Sequence, residues 1–161
     1  MADYLALART VDREGFEERF PHPFLVVTRE HSADATREFR TRDISALELN
    51  SDRPPSLEVF PVNRPSSPAN HMVTLGRANN MDIVLPNPSV SKLHAYFQRD
   101  IEGSRWTVAD AGSRNGSTLN GSVLAPKASH PVNTADILVF AQLYRAEFLM
   151  PGDVYSRFVK L

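Results

Sequence analysis

From residue 57 to residue 150 the chain is a series of short apolar runs, each closed off by turn-forming residues. The runs are LEVFPV (57–62), MVTLGR (72–77), DIVL (82–85), LHAYFQRD (93–100), RWTVAD (105–110), DILVFA (136–141) and YRAEFLM (144–150). Each is too short for a helix, and several alternate: Trp106 and Val108 share a face, as do Tyr144, Ala146, Phe148 and Met150. Short strands at this spacing predict an all-β sandwich of two sheets. No repeat of fixed period is visible, which excludes a solenoid or a propeller.

The texture before residue 57 differs. Leu5, Leu7, Val11 and Phe16 sit among charges at roughly helical spacing, predicting one helix over about 2–19 that ends at PHP (21–23). FLVVT (24–28) reads as a short strand, whereas the polar stretch 32–56 has no clear assignment and NRPSSPAN (63–70) reads as a loop. The expected organisation is an N-terminal extension over 1–54, a β-domain over 55–151 and a C-terminal tail over 152–161. The extension is read as packing on the sandwich, because Phe16, Phe20, Phe24, Leu25, Val26 and Val27 need burial.

At 161 residues the chain is long enough to bury a core without staples. It has no cysteine, so neither a disulfide framework nor a thiolate metal site is available, and its five histidines are scattered without ligand spacing. No signal-like leader and no apolar run of bilayer length occurs, which points to a soluble cytoplasmic protein with no membrane partner. The net charge of −1 argues against nucleic-acid binding by bulk charge. Residues 70–151 carry seven basic and six acidic side chains, so an anion site there must be local.

The densest concentration of special residues is DAGSRNGSTLNG (110–121), which is longer and richer in glycine than a simple connection requires. Part of it resembles a phosphate-binding P-loop, but only three residues separate Gly112 from Gly116 and no lysine follows. Ser91, His94 and Asp110 suggest a catalytic triad, yet Ser91 lacks a nucleophile-elbow context. In an extended chain, residues 91 and 94 would also point to opposite faces. An enzyme is therefore not expected. Asn115-Gly116 is in its own right a type I′ hairpin signal. Three stretches at strand ends, 76–85, 88–95 and 110–121, hold Arg77, Ser91, Lys92, Arg114 and Asn115, with Asp82 the one acid close by in sequence besides Asp110. Gathered at one end of a sandwich, these donors suit a phosphate group.

In order and spacing these stretches resemble the forkhead-associated (FHA) domain, over roughly residues 55–151. The match runs through Gly76-Arg77, Ser91-Lys92-Leu93-His94-Ala95, Asp110 to Ser117, and Asn120-Gly121. The resemblance implies a β-sandwich whose apical loops bind phosphothreonine in an extended peptide, with no cofactor and no metal. It gives Arg77, Ser91 and Lys92 to the phosphate, Arg114 to phosphate or peptide, and Asn115 to the peptide backbone. Gly76, His94, Gly112 and Gly116 would support the site, and Asn87, Pro88 and Ser89 would line contacts to flanking residues. Lys92 stands where the family often has arginine. Ser117 replaces the commoner threonine, and Ala135-Asp136 replaces the usual Gly-Asp turn. The implied partner is a protein phosphorylated by a Ser/Thr kinase in a signalling pathway. Stand-alone members of this size point to a bacterial cytoplasm. The alternative is a phosphorylation-independent scaffold on the same fold. For the extension, two other roles compete with packing: docking another protein, or presenting its own phosphothreonine from Thr10, Thr28, Thr36 or Thr41.

Overall fold

The computed structural model describes residues 4–29, 57–64 and 71–159. The unassigned stretch with Thr36 and Thr41 lies outside them, as does most of the loop over 63–70. Two sheets pack face to face. The first has six strands in the order β2 (Leu57–Pro61), β1 (Phe24–Arg29), β11 (Tyr144–Leu149), β10 (Ile137–Phe140), β7 (Ser117–Leu119) and β8 (Ser122–Val123). The second has five: β4 (Ile83–Val84), β3 (Met72–Gly76), β5 (Ala95–Arg99), β6 (Trp106–Asp110) and β9 (His130–Val132). Among the described strands β3 and β4 pair in parallel, and the other registered strand pairs are antiparallel. The chain therefore folds as the β-sandwich its pattern predicts.

Period-two alternation builds the interior. Leu25 and Val27 from β1, Leu138 and Phe140 from β10, and Ala146 and Phe148 from β11 face Val73, Leu75, Ala95, Phe97, Trp106 and Val108 of the other sheet in one apolar cluster. Tyr144, Ala146 and Phe148 are buried as the alternation predicts, but Met150 falls beyond β11 and is 39% exposed.

β1 is apolar on both faces for a different reason. Phe24 and Val26 point away from the sandwich into a second cluster with Ala8, Phe16, Leu149 and Val154. This cluster is roofed by three helices: α1 (Tyr4–Ala8), α2 (Arg13–Arg19) and α3 (Pro151–Val159). Aromatic rings fill it, with Tyr4 and Phe24 centroids 5.3 Å apart and Phe16 and Tyr155 5.8 Å apart. The Tyr155 hydroxyl donates to the Val11 carbonyl at 3.1 Å, tying the two ends of the described chain together.

Three features depart from the sequence reading. The single helix over about 2–19 is two helices, because Asp12 leaves helical geometry (φ −76°, ψ 174°) to cap α2 and accepts the Gly15 N–H at 2.9 Å. The strand in the N-terminal segment lies inside a sheet, between β2 and β11, rather than merely against it. Residues 151–159, most of the expected C-terminal tail, form a packed helix, with Gly152 and Val154 buried.

The Ala135-Asp136 departure has a measurable cost. Ala135 sits at φ +69° in the β9–β10 turn, held there by its N–H to the Phe148 carbonyl and by Asp136, which accepts from Asn133 N–H and Asn120 Nδ2. A Cβ in this left-handed region costs on the order of 1–2 kcal/mol, part of which glycine forfeits through unfolded-chain entropy. Ala135→Gly should therefore stabilise the protein by about 0.5–1 kcal/mol and raise Tm by about 1–4 °C in a thermal melt. An unchanged or lower Tm would show that the turn relaxes around alanine.

Candidate functional site

The loops β3–β4 (77–82), β4–β5 (85–94) and β6–β7 (111–116) meet at one end of the sandwich because their backbones are stitched together. Arg77 N–H donates to the Ser91 carbonyl at 2.9 Å, Ala78 N–H to Lys92 at 3.2 Å, His94 N–H to Leu75 at 2.9 Å, and Ala111 N–H to His94 at 2.9 Å. The β4–β5 loop passes so close over Gly76 that a Cβ there would overlap the Lys92 carbonyl oxygen and lie 3.0 Å from that of Ser91. Gly76 is thus required by close approach, not by its backbone angle.

His94 is the internal brace. It is fully buried, and its Nδ1 accepts the Ser91 backbone N–H at 3.1 Å. A backbone N–H can only donate, so Nδ1 is unprotonated and Nε2 carries the hydrogen, which it donates to the Gly116 carbonyl at 3.0 Å. One neutral ring therefore joins the second loop to the third.

Asp110 organises the third loop. Its Oδ1 accepts Gly112 N–H (2.8 Å) and Ser113 N–H (2.7 Å), and its Oδ2 accepts the hydroxyls of Ser113 and Ser117, both at 2.6 Å. Ser113 Oγ in turn accepts Gly116 N–H at 3.0 Å. Gly112 and Gly116 adopt φ +87° and +78°, so both supply the left-handed backbone the loop needs. Ser117 is buried by this network, which gives the serine a structural task. Asp110, Ser113 and Ser117 had no assigned role in the sequence reading; the signal available was an Asp followed at i+2 and i+3 by Gly and Ser, the pattern of a side chain capping its own turn. The hairpin signal at Asn115-Gly116 is corrected: Asn115 is not at positive φ, and the Asn-Gly step with both residues left-handed is Asn120-Gly121 (φ 49° and 83°), joining β7 to β8.

The binding candidates stand on this frame. Arg77 is exposed, and its Nε donates to the Val90 carbonyl at 3.0 Å, leaving its two terminal nitrogens for other partners. Ser91 Oγ accepts the Arg114 N–H at 3.0 Å, which leaves its own hydroxyl proton to donate. Asn115 Nδ2 donates to the Ser89 carbonyl at 2.7 Å, and Ser89 is itself fixed by Asn87 Oδ1, which accepts both its N–H and its hydroxyl. Lys92 and Arg114 are exposed. Among the described residues none of Arg77, Lys92 and Arg114 is ion-paired. Asp82 is engaged instead with Thr74 N–H and hydroxyl (2.8 and 2.9 Å) and with Arg64. Pro88 is exposed beside Ser89.

The same geometry dismantles the triad. His94 takes the Ser91 backbone N–H and not its hydroxyl, and Asp110 spends its oxygens on its own loop. The nucleophile–base–acid chain of hydrogen bonds is replaced by structural ones.

Both braces titrate out of their ordinary ranges. Burial holds the His94 imidazole below the usual histidine range, against the Gly116 carbonyl and the Asp110 charge. Burial pushes Asp110 up, but hydrogen bonds from Ser113, Ser117 and the Gly112 N–H outweigh it and hold the carboxyl below its usual range. A depressed histidine contributes stability that is full above about pH 6.5 and is lost as pH falls below it toward the folded value. Asp110 adds a second loss as pH falls below about 4 toward its folded value. Denaturation measured from pH 7.5 to 5.5 should show falling stability. His22 is depressed by burial too, so ring-resolved NMR must assign the effect. A His94 ring titrating at its unfolded value would contradict this reading.

Comparison with known proteins adds an independent observation. A family model for the FHA domain matches residues 73–141, which hold all three loops. The chain contains an FHA domain. Over 73 residues it is 38% identical to Mediator of DNA damage checkpoint protein 1 of Rattus norvegicus, a stretch covering 42% of this chain and 5% of that protein. The chain thus spans a small fraction of that relative's length. In fold it is similar to the FHA domain of an Arabidopsis thaliana hypothetical protein (TM-score 0.54, 17% identity, 80% of this chain and 85% of that one). It is also similar to full-length yeast Pml1p (TM-score 0.53, 19% identity, 88% and 94%). A third similar structure is the yeast Dun1 FHA domain, solved with a doubly phosphorylated pT peptide derived from Rad53 (TM-score 0.50, 19% identity, 80% and 74%). The FHA domain is a protein-interaction module. No helix among the described residues is long and apolar enough to cross a membrane.

Proposed function

We propose that the FHA domain of this chain binds phosphothreonine in an extended peptide and so recruits partners modified by Ser/Thr kinases in signalling. The observation that carries this reading is the division of labour at Ser91 and Arg77. Each is anchored to the loops through one atom and keeps free donors for a tetrahedral anion. Arg77 grips the phosphate with its planar terminal nitrogens, Ser91 donates its hydroxyl, and Lys92 adds a point charge. Arg114 reaches phosphate or peptide. Asn115 fixes the peptide backbone next to the Ser89 carbonyl it already holds. Gly76, His94, Gly112 and Gly116 shape the loops. The pT peptide held by the Dun1 domain, similar in fold, is a ligand of the proposed kind. The proposed setting is the cytoplasm, and no nucleic acid, membrane or enzymatic turnover enters the reading.

The test is binding of the full chain to degenerate peptide libraries carrying phosphothreonine, phosphoserine or unmodified threonine. Phosphothreonine should win over phosphoserine by about fourfold, the worth of one buried methyl at about 0.8 kcal/mol. The unmodified library should not bind measurably. Equal binding of phosphorylated and unmodified peptides would make the protein a phosphorylation-independent scaffold instead.

A further inference from the structure

We propose that Asn115 is a site of spontaneous deamidation whose product switches the phosphate grip off. The consequence for binding rests on the function proposed above; the chemistry does not. In an Asn-Gly step the backbone nitrogen of glycine attacks the Asn Cγ, forming a C–N bond. The Cγ–Nδ2 bond breaks, ammonia leaves with the amide proton, and the resulting succinimide is opened by water to aspartate or isoaspartate. Glycine favours this because no side chain hinders the approach.

The chain offers two such steps, Asn115-Gly116 and Asn120-Gly121, and the fold treats them differently. Asn120 is also exposed, but three of its polar groups are held: Nδ2 donates to Asp136 Oδ1 at 3.0 Å, Oδ1 accepts the Ile137 N–H at 2.9 Å, and its N–H donates to the Ile137 carbonyl at 2.7 Å. Its ring closure would break the joint between β7 and the start of β10. Asn115 lies exposed in an irregular loop, and its carboxamide is held by the single bond from Nδ2 to the Ser89 carbonyl. Gly116 N–H is restrained only by the Ser113 hydroxyl. Breaking one exposed and one part-buried hydrogen bond frees the reacting pair, whereas Asn120 requires the turn to open.

The product is placed where it does most harm. A carboxylate at position 115 has no proton to give the Ser89 carbonyl, so two oxygens confront each other and the β4–β5 and β6–β7 loops lose a tie. It also brings a negative charge into the loop cluster that carries Arg77, Lys92 and Arg114, where it competes with the phosphate. The isoaspartate form lengthens the main chain ahead of Gly116, whose carbonyl receives both His94 Nε2 and Ala141 N–H.

The experiment incubates the full chain at mildly alkaline pH and maps peptides by mass at intervals, with and without the phosphothreonine library. Position 115 should convert several-fold faster than position 120, and the library should slow conversion at 115 alone. The converted fraction, separated by charge, should bind the library at least about tenfold more weakly than fresh protein, as should Asn115→Asp. No conversion at 115, equal rates at the two positions, or full affinity of the converted fraction would each overturn the proposal. Should fresh protein fail to bind the library, the proposed function and the switch fall together, while the mass map still decides whether 115 is the labile position.

Discussion

Arg77→Ala should lower affinity for phosphothreonine peptides by about a hundredfold or more and leave the melting temperature within about 2 °C. The two halves have separate causes. Arg77 is exposed and belongs to neither apolar cluster, so its loss removes little that holds the fold. Its terminal nitrogens are the planar pair among the proposed phosphate donors whose root is fixed by a hydrogen bond of the same side chain, Nε to Val90. Truncation leaves a dianion facing one hydroxyl and two less constrained cations. Arg77→Lys keeps the charge but loses both the Nε anchor and the fork, so it should recover only part of the loss, about tenfold below the parent. Isothermal titration of all three proteins with one phosphopeptide reads the series. Parent-like affinity in Arg77→Ala would remove the phosphate from this site.

Gly76→Ala should be the most damaging single methyl in the molecule. The added Cβ would strike the Lys92 carbonyl oxygen and come within 2.8 Å of its carbon. These atoms cannot move away singly, because Lys92 O receives the Ala78 N–H and Ser91 O receives the Arg77 N–H. The β4–β5 loop must lift as a unit, at a cost of about 2–3 kcal/mol and about 5–10 °C in Tm. Lifting it also parts Ser91 from Arg77, so affinity should collapse with stability. Gly112→Ala is the matched contrast. It meets no atom within 4 Å and suffers only from φ +87°, about 1 kcal/mol. A Gly76→Ala protein no less stable than Gly112→Ala would mean the crossing is looser than described.

What the sequence revealed, and what it hid, follows from the range of the forces. The strands around Val73, Phe97, Val108, Leu138 and Phe148 were legible because alternation is a local record of which face is buried. So was the membership of Arg77, Ser91 and Asn115 in one loop cluster. The place of β1 was not legible. FLVV is apolar throughout, and only the helical roof over Phe24 and Val26 explains why neither face meets water. The division of the first helix was signalled by Asp12 with Gly15 three residues on, but competed with a continuous helical spacing of apolar residues. The I′ turn was assigned to Asn115-Gly116 when Asn120-Gly121 fitted equally well, because a dipeptide cannot tell which copy flanks paired strands. The bonds of Asn115 to Ser89 and of His94 to Gly116 span 26 and 22 residues, and no local pattern encodes them.

The pairing of Phe24 with Leu149 also sets a timetable. A ribosome adding about 5–20 residues per second needs roughly 6–25 s to travel between those two positions. Late in that interval the second sheet, built wholly from residues 72–132, is complete before Leu149 is made and can bring Arg77, Ser91 and Asn115 together first. β1 meanwhile has left the tunnel as an apolar ribbon whose central position is still vacant on one side. The nascent chain is thus most exposed to sticking and chaperone capture at β1, and that exposure ends only when β11 arrives.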